Sequence, residues 1–110
     1  MSAAAMSSEA LVTVFAALGD ETRWSILEAL GEGEASASAL AERLPVTRQA
    51  IAKHLAVLAE VGVVEPVRVG REVRYRVIGA ELSATAARLD AVGREWERRL
   101  AAIKEIAERL

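Results

Sequence analysis

The spacing of apolar residues changes at Gly62, and the patterns on its two sides admit few folds. Before it, Ile51, Leu55 and Leu58 fall at i, i+4 and i+7, one face of a helix. After it, Val63, Glu65, Val67 and Val69 lead to Gly70-Arg71, then Val73, Tyr75 and Val77 alternate with Arg74 and Arg76. A period of two about a glycine-containing turn predicts a β-hairpin with a polar, basic face. Pro66 suits an edge strand, where its missing N–H breaks no ladder.

Upstream of the hairpin the chain is helical. Thr47 is a good N-cap for the helix carrying Ile51, and Gly62 stands just past its end. Leu40 and Leu44 mark a two-turn helix that stops at Leu44, because the residue before Pro45 is pushed out of the α region. Helix, tight turn, helix is the result. Earlier still, Leu11, Val14, Phe15 and Leu18 predict a helix over Glu9–Leu18 ended by Gly19. Asp20 caps a second helix with the apolar face Ile26, Leu27 and Leu30, closed by Gly31 and Gly33, and residues 31–36 are expected to be a plain connection. The alanine-rich residues 1–8 are expected to be a disordered tail, leaving residues 9–110 as one domain.

From Glu81 to Leu110 there is no proline, and Leu82, Leu89, Trp96, Ile103 and Leu110 stand seven residues apart, with Ala86, Gly93, Leu100 and Ala107 between them. This is a heptad seam. The helix would be about 45 Å long at 1.5 Å per residue, more than a domain of this size covers, so it needs a partner. Leu89, Trp96, Leu100 and Ile103 are therefore expected in a dimer interface, since left exposed they would form an apolar patch that monomers seldom tolerate.

Composition removes several functions. The 110 residues contain no cysteine and a single histidine, His54, which excludes disulfides, thiolate ligands and thiol nucleophiles. No uncharged apolar run approaches the roughly 20 residues of a membrane span, and the first basic residue, Arg23, lies beyond the apolar run where a secretory signal would have begun. A cytoplasmic protein without a membrane partner is expected. The net charge of −2 argues against nucleic acid until it is resolved along the chain. Residues 1–46 hold seven acids and two bases, residues 47–79 three acids and six bases, and residues 80–110 six of each. One basic segment sits inside an acidic protein, and it is the one that runs from the tight turn through the hairpin.

With Ile51 pointing to the core, Gln49, Ala52, Lys53, Ala56 and Glu60 point away from it, and Arg48 falls to the side in the first helical turn. Arg and Lys donate to guanine, Gln pairs with adenine, and the small Ala52 and Ala56 permit close approach to a major groove. Arg71, beside Gly70 at the hairpin tip, is placed for phosphate or the minor groove. The expected contact set is Thr47, Arg48, Gln49, Ala52 and Lys53 on the helix with Arg68, Arg71 and Arg74 in the hairpin, and less is expected of Arg76. His54, only about 60° from Ile51 on the helical wheel, is expected to pack or bond locally, and Trp24 and Trp96 to pack. No catalytic residue is identified. A nucleophile–base pair would require His54, and Gly31-Glu-Gly33 has no preceding strand of the kind a phosphate loop needs.

The fold expected is mainly α with a small β-hairpin: a winged helix-turn-helix with a two-stranded wing and a long C-terminal dimerisation helix. Leu18-Gly-Asp-Glu-Thr-Arg23, the stretch from Pro45 through Thr47-Arg-Gln-Ala-Ile-Ala-Lys-His-Leu to Leu58, and Gly70-Arg-Glu-Val-Arg-Tyr-Arg-Val77 resemble the ArsR/SmtB family of bacterial winged-helix repressors. The resemblance runs from about Val14 to Ile78. It implies a homodimer built from the first and last helices, helices 9–18 and 81–110 here, which adds Leu11 and Phe15 to the interface. It also implies a recognition helix in the major groove of double-stranded operator DNA and repression by promoter occlusion. Metal-sensing members carry a Cys-x-Cys motif at positions that correspond to Ser36 and Ser38, and others use His with Asp or Glu on the last helix, which has no histidine here. No metal site and no cofactor are expected, and a neutral hydroxyl is a poor substitute for thiolate. A small-molecule effector stays open. The alternative is a winged helix used only for protein–protein interaction.

Overall fold

A computed structural model describes residues 7–110. The tail expected over residues 1–8 therefore lies largely outside the described residues. Its last two belong to the first helix: Ser7 caps α1 (Ser8–Leu18), its hydroxyl accepting the Ala10 N–H at 3.0 Å. That serine starts the helix one residue ahead of the apolar period.

Asp20 caps α2 (Glu21–Glu32) through the Arg23 N–H at 3.0 Å, and Gly33 closes it. Ser36 caps α3 (Ala37–Arg43), and Leu44 ends that helix in an extended conformation, as the following proline requires. Thr47 caps α4 (Arg48–Glu60) through the Ala50 N–H. At the exit of α4, Gly62 N–H reaches Ala59 O and Val63 N–H reaches Leu58 O, both at 3.1 Å. This paired closure needs a left-handed residue, and Gly62 supplies it with φ +84°.

The hairpin consists of β2 (Val64–Val69) and β3 (Glu72–Val77), antiparallel, with Val69 opposite Glu72. A two-residue loop whose first member, Gly70, has φ +65° follows the twist of the strands. The expected two-stranded wing gains a third strand: β1 (Ala35–Ser36), inside the stretch read as a connection, pairs with β3 and gives the order β1-β3-β2. Two buried residues have too little length to show a period.

The core is built by α1 to α4 and the start of the wing. Ile26, Leu40, Ile51, Leu55, Leu58, Val63 and Val64 are all but inaccessible. Each such side chain contributes about 1.5–3 kcal/mol relative to exposure, so α4, with three of them, is anchored firmly along one face. The last helix, α5 (Gly79–Arg109), touches this core only at its start, through Leu82 and the buried Thr85. Beyond that it leaves the domain, and the molecule is 69 Å long. Among the described residues, no helix is long and apolar enough to cross a membrane.

Candidate nucleic-acid interface

Burial of Ile51, Leu55 and Leu58 sets the rotation of α4 and so decides what it shows to solvent. Thr47, Arg48, Gln49, Ala52, Lys53, Ala56 and Glu60 are exposed, as the helical wheel requires, while His54 is half-buried. His54 bonds within the chain, Nδ1 lying 3.4 Å from Arg23 Nη1.

The wing departs from the single basic face that alternation suggested. In the observed register Arg68 stands opposite Val73, on the face that continues through Pro66 and Tyr75 to Val64 and Val77. Arg74 and Arg76 stand on the other face, opposite Val67 and Glu65. There Arg76 pairs with Glu65 at 2.7 Å, and Arg74 binds Glu72 at 3.0 Å and Glu34 at 3.3 Å. The hydrogen bonds it donates to Glu72 and then to Glu34 hold the Arg74 guanidinium above the ordinary arginine value. Arg74 thus ties the wing to the residue preceding β1.

Arg48, Lys53, Arg68 and Arg71 have no carboxylate partner among the described residues. Lys104, far along α5, is in the same state, whereas Arg23, Arg43, Arg94, Arg98, Arg99 and Arg109 are each paired. Uncompensated positive charge is concentrated on the first turns of α4 and on the wing, as an anionic backbone requires.

Two residues had no assigned role in the sequence. Arg23 donates from Nε to Ala17 O at 2.6 Å and from Nη2 to Ala16 O at 3.4 Å, capping α1 from the next helix while touching His54. Its place in the Leu18–Arg23 motif was the available signal. Ser38 Oγ accepts from Arg48 Nε at 2.9 Å. Ser36 Oγ is equally engaged, accepting the Ala39 N–H at 3.1 Å. The two positions that correspond to a Cys-x-Cys motif therefore carry neutral hydroxyls committed to internal bonds, a donor set that does not fit a transition metal. No three His, Cys, Asp or Glu side chains converge on one point among the described residues.

The expected dimer residues divide between two places. Leu11 and Phe15 are half-buried on α1, whereas Leu89, Trp96, Leu100 and Ile103 lie on the open face of α5, Trp96 being 59% exposed. Trp24, expected to pack, is 49% exposed and walls a groove of about 510 Å3 with Phe15, Leu18, Leu27, Leu82 and Leu89.

A helical core, a helix-turn-helix whose second helix turns its polar face outward, and an antiparallel wing define the winged helix-turn-helix DNA-binding proteins. Residues 18–67 match a family described as a helix-turn-helix domain. Over 72 residues, 59% of this chain and 75% of the other, the sequence is 46% identical to the HTH-type transcriptional regulator YuzN of Bacillus subtilis (strain 168). An ArsR-like transcriptional regulator from Rhodococcus sp. RHA1 is 64% identical, with a TM-score of 0.81 covering 90% of this chain and 93% of that one. The homodimeric winged helix-turn-helix DNA-binding domain of Mb0332 from Mycobacterium bovis is 28% identical, with a TM-score of 0.65 covering 79% and 81%. The chain belongs to the ArsR family of transcriptional regulators and carries its helix-turn-helix DNA-binding domain. That family consists of DNA-binding regulators rather than enzymes.

Proposed function

We propose that the protein is a homodimeric transcriptional repressor that occludes promoters, its own included, and that it does so in the cytoplasm without a metal signal. The observation that carries this reading is the gathering on α4 and the wing of four cations, Arg48, Lys53, Arg68 and Arg71, that have no carboxylate partner among the described residues. Arg48, Gln49 and Lys53 enter the major groove beside Thr47 and Ala52, while Arg68 and Arg71 meet the flanking backbone. Arg74, bound to two carboxylates, holds the wing in position and reaches DNA only through it. Commitment of the Ser36 and Ser38 hydroxyls supports a metal-independent regulator.

Dimerisation uses the open face of α5 together with Leu11 and Phe15. Along the seam large residues, Leu82, Leu89, Trp96, Ile103 and Leu110, alternate with Ala86, Gly93, Leu100 and Ala107. Antiparallel helices that set Trp96 over Gly93 of the partner subunit also set Ile103 and Leu82 against alanines, while Leu89 meets a second leucine; a Cβ built on Gly93 meets nothing within one chain, so the indole has room there. A parallel pair would stack large on large. The two-fold axis presents two recognition helices to two half-sites about one helical turn, or a multiple of it, apart.

A gel shift with DNA from upstream of the protein's own coding sequence, at moderate salt, tests the reading. Retardation of that duplex ahead of a scrambled one supports it. Absence of any sequence preference would favour a winged helix that contacts protein instead.

A further inference from the structure

Arg48 differs from the other exposed side chains of α4 in being tethered. Its Nε–H donates to Ser38 Oγ at 2.9 Å, across the helix-turn-helix from the first turn of α3. Gln49 and Lys53 have no such bond among the described residues. A guanidinium carries its donors in a rigid planar fork, so one occupied edge fixes the plane of the whole group. With Nε engaged by Ser38, the Nη1 and Nη2 edge stays open, and that pair matches the O6 and N7 acceptors of guanine in the major groove.

The tether is neutral, which matters for its effect. A carboxylate at position 38 would cancel the charge that draws Arg48 to DNA, as Glu72 and Glu34 do for Arg74. A hydroxyl fixes the direction and leaves the charge. The neighbours Ala37 and Ala39 offer no side-chain acceptor, and the Ser36 hydroxyl is occupied by the Ala39 N–H. Ser38 is thus the α3 hydroxyl that holds this arginine, and it acts before DNA arrives.

Resting on the DNA-binding reading above, we propose that Ser38 is a positioning residue for base readout, holding the terminal fork of Arg48 toward one guanine in each half-site. Its contribution is preorganisation, because rotamers of Arg48 that binding would otherwise freeze are already excluded.

The test uses the full chain and the duplex that the wild type selects from a randomised pool, with affinity followed by fluorescence anisotropy. The guanine in question is the position whose preference Arg48→Ala abolishes. Ser38→Ala should weaken binding to the selected duplex by about threefold to tenfold, the worth of immobilising one rotamer-rich side chain, and leave random DNA unchanged. Preference for that guanine should shrink by the same factor, thermal stability should hold, and Ser38→Thr, which keeps the hydroxyl, should retain the wild-type preference. In an Arg48→Ala background, Ser38→Ala should have no further effect. Unchanged or tighter binding by Ser38→Ala, an equal loss on random DNA, or losses that add to those of Arg48→Ala would overturn the tether. A wild type that selects no sequence overturns the DNA-binding reading and the tether with it, whereas selection by a wild type that Ser38→Ala matches overturns the tether alone.

Discussion

Arg23 of α2 and His54 of the recognition helix meet at 3.4 Å, Nη1 to Nδ1, while the same guanidinium donates to the carbonyls of Ala17 and Ala16 at the end of α1. One side chain joins three helices. It satisfies carbonyls that the end of α1 leaves unpaired and puts positive charge at the negative end of that helix. Arg23→Ala should destabilise the fold by about 1.5–3 kcal/mol, the range for hydrogen bonds to a charged group, measured by urea unfolding. Arg23→Lys should recover only part of this, since a point charge cannot reach both α1 and His54.

Asp20 anchors the same corner. The Arg23 N–H bonded to Oδ1 holds its carboxyl below the usual aspartate value, and the Arg23 charge adds to this. A folded-state value below the unfolded one means that the stabilisation is complete above the ordinary carboxylate range and is lost as pH falls through the folded value. Asp20→Asn retains a capping oxygen without the charge. Its melting temperature should therefore fall below that of the wild type at neutral pH and converge with it under acid conditions; a constant difference down to pH 2 would refute the assignment.

Trp96 and Gly93 test the dimer. Sedimentation of the wild type at micromolar concentration should show two chains, and Trp96→Asp should dissociate or unfold them. Gly93→Leu should also weaken association, because its Cβ has open space within one chain and would meet the partner's indole only in the antiparallel pair. A stable wild-type monomer would sink the dimer, and an unaffected Gly93→Leu dimer would sink the antiparallel pairing.

Arg71 and Arg74 should separate sharply despite lying three residues apart. Each lost phosphate contact flattens the slope of log K against log salt by about 0.9, so Arg71→Ala should change it by about 2 in a two-fold dimer. Arg74→Ala should lower thermal stability first, through the bonds to Glu72 and Glu34, with a smaller change in slope. Gln49→Ala should cost about 1–3 kcal/mol on the operator and relax preference at one base pair. Equal loss on random DNA would contradict base readout.

Zinc, cadmium and arsenite should leave operator affinity unchanged, because the Ser36 and Ser38 hydroxyls are neutral and internally bonded. A chelator-reversible change of tenfold or more on titration would disprove this.

Local sequence determined most of the architecture. The caps Asp20 and Thr47, the stop before Pro45, the left-handed positions at Gly62 and Gly70 and the periods on either side of Gly62 each act within a few residues, so they are legible without a structure. The outward face of α4 followed from the same periodicity, because burial of Ile51, Leu55 and Leu58 leaves one rotation. Tertiary structure alone decided which cations remain uncompensated. Glu34 and Arg74 are 40 residues apart in sequence, and only the pairing of β1 with β3 brings them together. Strand register likewise put Arg68 and Arg74 on opposite faces of the wing, and the packing of α3 on α4 set Ser38 beside Arg48. Coulombic pairing depends on distances of a few ångströms between segments remote in sequence, and composition and periodicity do not encode those distances.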